Sequence, residues 1–206
     1  MSATVAKKSS MARARSVVFC GMSIAFMAVA AWITVPFGPI PFTLQTLAVM
    51  FVMFALTPKQ AIASIAGYIA LGAVGLPVFS GFKGGLAALM GPTGGFIVGF
   101  IAAAGVALVL GTLLKNTKLF ASESEMKFFG TKIKSGTLAR NLVMGVVFMV
   151  VLYAFGLVQL MYVGNLPFAA AFAAAVAPFI VIDAMKMIAA VLLAQAVNAA
   201  VSAQRS

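Results

Sequence analysis

Charged residues are so widely spaced along this chain that most intervals between them are long enough to cross a bilayer. A helix needs roughly 20 apolar residues to span the hydrocarbon core. The interval 16–58 holds two such spans, divided by Pro36-Phe-Gly-Pro-Ile-Pro41, because proline and glycine end helices. Residues 60–82 supply a third span, and 84–114 a fourth that starts near Pro92. A fifth covers 141–161 and is closed by Gly164-Asn-Leu-Pro167. The final apolar run, 168–201, is too long for one straight helix. Pro178 suits a helix start, since its missing N–H needs no partner there. The pattern therefore predicts a short outer segment over 168–177 and a sixth span over 178–198.

The expected fold is an all-α integral membrane protein of six transmembrane helices, and composition agrees with it. Of 206 residues, 64% are hydrophobic and 8% charged, far above the apolar share of a soluble domain. The chain reads as one membrane domain over 1–206. It has an arm over 1–15, helices one to four over 16–114, a glycine-rich outer loop over 77–92, a basic loop over 115–140, and helices five and six over 141–201.

Orientation follows from the basic residues, which stay cytoplasmic when they lie in short loops. Lys7, Lys8, Arg13 and Arg15 precede the first span, and Lys59 lies between the second and third. Lys115, Lys118, Lys127, Lys132, Lys134 and Arg140 lie between the fourth and fifth, and Arg205 ends the chain. All of these face one side, so both termini are expected in the cytoplasm. Lys83 falls in an opposite loop and Lys186 within a span. The net charge of +11 is dispersed over the cytoplasmic loops without interleaved aromatics, which argues for contact with anionic lipid and against nucleic acid. No cleavable signal peptide is evident.

The available chemistry is narrow. The chain has no histidine, one cysteine (Cys20), and three acids: Glu123, Glu125 and Asp183. Zinc hydrolysis and a Ser–His pair are excluded, no metal site is expected, and an enzyme is disfavoured. There is no G-x-x-x-x-G-K-[ST] phosphate loop either, so any ATP that drives this protein is hydrolysed elsewhere.

Two features stand out against that background. Asp183 and Lys186 interrupt an apolar run three residues apart. Each charge costs about 2.5–3.5 kcal/mol at the centre of a membrane helix, so such a pair is usually kept for a task. The second feature is the run "LGAVGLPVFSGFKGGLAALMGPTGGFIVG". Irregular backbone in a membrane is tolerated where protein or water satisfies it, so this segment is expected to fold over a cavity. Gly81, Gly84 and Gly85 permit positive φ and close approach to a ligand. Gly94, Gly95 and Gly99 suit either that cavity or close helix packing. Thr43, Gln45, Thr46 and Tyr68 converge with Asp183 and Lys186 on the same outer level, which predicts a pocket open to the outside.

The blocks "GPIPFTLQTL", "GLPVFSGFKGGLAALMGPTGGF" and "PFIVIDAMK" closely resemble the BioY family, the biotin-binding S components of energy-coupling factor (ECF) transporters. The resemblance runs from the first span to the sixth, with the blocks in family order and spacing. It implies a six-helix plasma-membrane protein that binds biotin from outside. Delivery to the cytoplasm would use a transmembrane coupling subunit and two ATP-binding cassette ATPases, with no cofactor on this chain. It carries ligand contact to Asp183 and Lys186. Asp183 is expected to accept from the ureido N–H groups, and Lys186 to donate to a biotin oxygen or hold Asp183 ionised. Gln45 and Thr43 are further polar candidates, with Phe79 and Tyr68 against the apolar rings. Phe82-Lys83 stands where the family usually has small residues, so the resemblance carries no ligand role to Lys83. In S components, small residues of the first span meet the coupling subunit; here these are Gly21, Ala25 and Ala28. Ordinary packing between helices of the chain explains them equally well. The alternative function is a stand-alone or proton-coupled carrier of biotin or a related small vitamin, with Asp183 as the proton site.

Overall fold

The computed structural model describes residues 2–115, 117, 120, 125–128 and 131–203; Lys118, Glu123 and Arg205 lie outside the described residues. The first helix, α1 (Ser2–Trp32), stops where β1 (Thr34–Val35) begins. β1 pairs antiparallel with β2 (Phe42–Thr43) in the register Thr34↔Thr43 and Val35↔Phe42. The proline-rich stretch thus forms the loop of a small hairpin, with Gly38 at φ 66°. Proline is confined to the loop because it cannot donate to a strand ladder.

β2 leads into α2 (Gln45–Ala55), and α3 (Pro58–Ala73) follows after a sharp break. The start of α3 is built from local chemistry. Gln60 Oε1 accepts from the Thr57 N–H at 3.3 Å and from its hydroxyl at 2.8 Å, while Pro58 takes a first-turn position. Gln60 Nε2 donates to Ser16 Oγ at 2.9 Å, tying this end of α3 to α1.

The third span predicted over 60–82 is too long, since α3 ends at Ala73. Gly75 turns the chain at φ 111°, a backbone state that hydropathy does not register. Beyond it lie a 3₁₀ turn (Ser80–Phe82) and the one-turn helix α4 (Leu86–Met90). Helix α5 (Gly94–Leu114) then starts just after Pro92, as expected.

The basic loop expected over 115–140 contains an antiparallel hairpin of β3 (Glu125–Phe128) and β4 (Thr131–Lys134). Helix α6 (Ser135–Gly164) starts directly after it, six residues before the predicted boundary at Asn141. The short segment predicted after Pro167 is α7 (Phe168–Ala175). Pro178 does not open the last helix; it sits in a turn, and α8 (Ile180–Ala203) begins two residues later. That shift places Asp183 in the first turn of α8, where the helix N-terminus favours a carboxylate.

Four helical segments among the described residues are long and apolar enough to cross a membrane: Arg13–Trp32, Gly94–Leu114, Ser135–Gly164 and Ile180–Val201. Helix α2 is apolar but has only 11 residues, about 16 Å at 1.5 Å per residue. The pair α5 and α6 packs most extensively, followed by α2 with α8 and α1 with α3. Small residues permit the α5–α6 approach. A Cβ on Gly95 would overlap the Phe155 carbonyl, so Gly95 serves close packing against α6. The core is formed by Met27, Met50, Ile65, Tyr68 and Phe148 with their neighbours. A second cluster joins Ile40, Leu160, Ala171 and Phe179.

Candidate functional site

The end of the bundle where β1, β2, the glycine-rich segment and the start of α8 meet encloses a cavity of about 370 Å³. At the opposite end, Asn198 Nδ2 of α8 donates to the Phe54 carbonyl of α2 at 3.2 Å.

The charged part of the cavity is set by α8. Asp183 and Lys186 are 5% and 6% exposed, and Lys186 Nζ donates to Asp183 Oδ1 at 2.8 Å. Residues three apart on a helix share a face, so one helical turn supplies both charges. The second carboxylate oxygen, Oδ2, accepts from the Tyr153 hydroxyl of α6 at 2.8 Å. Lys186 Nζ also lies 4.0 Å from the centroid of the Phe42 ring on β2, a cation–π distance. Phe42 stacks on Phe179 at 6.3 Å and 15°, and Phe37 meets Phe179 edge-on at 6.2 Å and 89°. The hairpin thereby brings an aromatic wall to the ion pair.

Gln45 is the first residue of α2 and lines the cavity. Its Nε2 donates to the Tyr68 hydroxyl at 2.8 Å, and that hydroxyl donates to the Val78 carbonyl at 2.8 Å. The relay fixes the Gln45 amide and ties α2 to α3 and to the glycine-rich segment. Thr43 also lines the cavity, and its Oγ1 accepts from the Gln45 N–H at 3.3 Å.

The glycine-rich segment is pinned at both sides. Trp32 Nε1 donates to the Pro77 carbonyl at 2.8 Å, and the Trp32 ring stacks on Phe82 at 5.1 Å. The Gly85 N–H donates to the Gly72 carbonyl at 2.7 Å. Gly81 adopts φ 67°, and a Cβ on Gly84 would overlap the Leu76 carbonyl. A bulkier residue at either position would displace the loop.

Of the residues singled out in the sequence, the structure brings Asp183, Lys186, Gln45, Thr43, Phe79 and Gly81 to the cavity wall. Tyr68, Gly84 and Gly85 are not on that wall. Tyr68 stands behind Gln45 and edge-on to Phe79 at 5.5 Å, and the two glycines let the loop fold against the end of α3. Sequence reasoning missed Tyr153, Phe96 and Phe179, which line the cavity, and Phe42, which stands behind the wall against Lys186 and Phe179. Tyr153 carries the one available signal, a hydroxyl within the apolar run 142–158 of α6. Gly21 and Ala25 are exposed on α1, whereas Ala28 is buried in the core, so the outward small-residue face is shorter than the sequence suggests. Among the described residues, no group of three or more His, Cys, Asp or Glu side chains is arranged to hold a metal.

Fold and site together define a helical membrane protein with a compact polar and aromatic pocket at one end of its bundle. The sequence model of the BioY family matches residues 3–203, and the chain belongs to that family. It is 44% identical over 107 residues to the biotin transporter BioY of Thermotoga maritima, covering 52% of this chain and 62% of that protein. The chain thus spans under two thirds of that relative's length. It is 36% identical over 165 residues to the biotin transporter BioY of Rhizobium etli, covering 80% of this chain and 81% of that one. The fold resembles the crystal structure of the S-component for biotin from an ECF-type ABC transporter. The TM-score is 0.73 at 22% identity, covering 89% of this chain and 90% of that one.

Proposed function

We propose that this chain binds biotin at the outer face of the plasma membrane and acts as the S component of an ECF transporter. The observation that carries the reading is the engaged carboxylate of Asp183 inside an aromatic pocket. An ionised carboxylate offers about four acceptor positions. Lys186 and Tyr153 occupy one each. In a cyclic urea each N–H lies beside the carbonyl oxygen, so a position left on Asp183 suits one ureido N–H while Lys186, next to it, donates to the ureido oxygen. Phe79, Phe96 and Phe179 offer apolar faces to the thioether ring and the tail.

In this reading α1, α2, α3, α5, α6 and α8 cross the membrane as one domain, with both termini cytoplasmic. The chain is a transport subunit that catalyses no reaction and carries no cofactor. A coupling subunit docks against α1 near Gly21 and Ala25, and two partner ATPases hydrolyse ATP. Family membership and the fold likeness to a biotin S component support the assignment. The test is uptake of labelled biotin in cells that make this chain with and without a coupling subunit and ATPases. Uptake that requires the ATPases and ignores a pH gradient is expected. Uptake driven by a pH gradient without them would overturn the ECF assignment.

A further inference from the structure

Among the described residues, three charged ones line the cavity: Asp183, Lys186 and Lys83. Asp183 is already engaged by Lys186 and Tyr153, so the pair contributes no net charge. Lys83 then leaves the cavity wall with one net positive charge. It is exposed, in contrast to the buried pair, and therefore marks the mouth of the pocket. Its backbone is held in place: the Phe79 N–H donates to the Lys83 carbonyl at 2.9 Å, and the neighbouring Phe82 is stacked on Trp32. Thr34 and Ser80, whose hydroxyls lie 3.4 Å apart, line the same cavity.

This charge pattern suits a ligand that is neutral and polar at one end and anionic at the other. An anionic end beside the Asp183–Lys186 pair would meet no net charge, whereas at the mouth it meets an ammonium. We propose that Lys83 is the carboxylate contact of this pocket, selecting carboxylate-bearing ligands over neutral analogues of the same shape. The inference rests on the biotin reading above and adds the ligand's orientation: ureido ring toward Asp183, valerate carboxylate toward Lys83.

The test compares biotin with biotinol, its neutral alcohol, by calorimetry on the purified full chain. Wild-type protein should prefer biotin about fivefold, the order of one solvent-facing ion pair. Lys83→Gln should lose that preference by weakening biotin alone, and Lys83→Arg should keep it. Added salt should weaken biotin in the wild type and leave biotinol unchanged. A Lys83→Gln protein that weakens both ligands equally, or keeps its preference, overturns the contact. Wild-type protein that binds both equally removes the Lys83 contact alone and leaves the biotin function standing. Wild-type protein that binds neither removes both.

Discussion

Tyr153 and Asp183, 30 positions apart in the chain, are joined by a 2.8 Å hydrogen bond from the tyrosine hydroxyl to the carboxylate. The bond ties α6 to the first turn of α8 and fixes which carboxylate lone pairs remain for a ligand. Tyr153→Phe removes the donor and keeps the ring. A hydrogen bond to a charged group contributes about 1.5–3 kcal/mol, so biotin affinity should fall about tenfold or more while the protein stays folded. Calorimetry together with a thermal melt checks both parts.

The buried pair separates binding from stability. Removing one partner of a buried ion pair costs about 3–5 kcal/mol, whereas replacing both by apolar residues is often neutral or stabilising. Lys186→Met should therefore lower the melting temperature in detergent. The double variant Asp183→Leu with Lys186→Leu should melt at or above the wild type, yet bind no biotin. A double variant that unfolds would mean that the Asp183 bond to Tyr153 is needed to hold α8 to α6.

Gly84 tests the loop. A Cβ there overlaps the Leu76 carbonyl, so Gly84→Ala must move backbone. Biotin binding should weaken by more than tenfold, with little change in the helical circular dichroism signal.

Gly21 tests the partner face, because a Cβ at this exposed position meets nothing within 4 Å in the isolated chain. Gly21→Leu should leave biotin affinity unchanged while lowering ATP-dependent uptake. Equal uptake by variant and wild type would place the coupling subunit elsewhere.

How much of this was legible in the sequence follows from what lipid penalises. Asp183 and Lys186 were readable because charges in an apolar run are expensive, and the break at Pro36 to Pro41 because proline interrupts helices. The end of α3 at Ala73 was not, because Gly75 turns the chain inside a stretch that stays hydrophobic throughout. Tyr153 was missed because one hydroxyl in the apolar run 142–158 says nothing of a partner 30 positions away, a relationship that only packing of α6 on α8 creates. Tyr68 stands behind Gln45 and off the cavity wall. Its polarity was visible, whereas its use in holding Gln45 depends on how α2 and α3 meet.

The central claim is that this pocket recognises a ureido ring through Asp183. The most direct measurement is titration calorimetry of the purified chain with biotin, followed by competition with dethiobiotin and lipoate. Dethiobiotin keeps the ureido ring and the carboxylate; lipoate keeps a sulfur ring and the carboxylate but lacks the ureido group. The account predicts one biotin per chain, displacement by dethiobiotin, no displacement by lipoate, and loss of binding in Asp183→Asn. Displacement by lipoate as effective as that by dethiobiotin, or unchanged biotin affinity in Asp183→Asn, would contradict it.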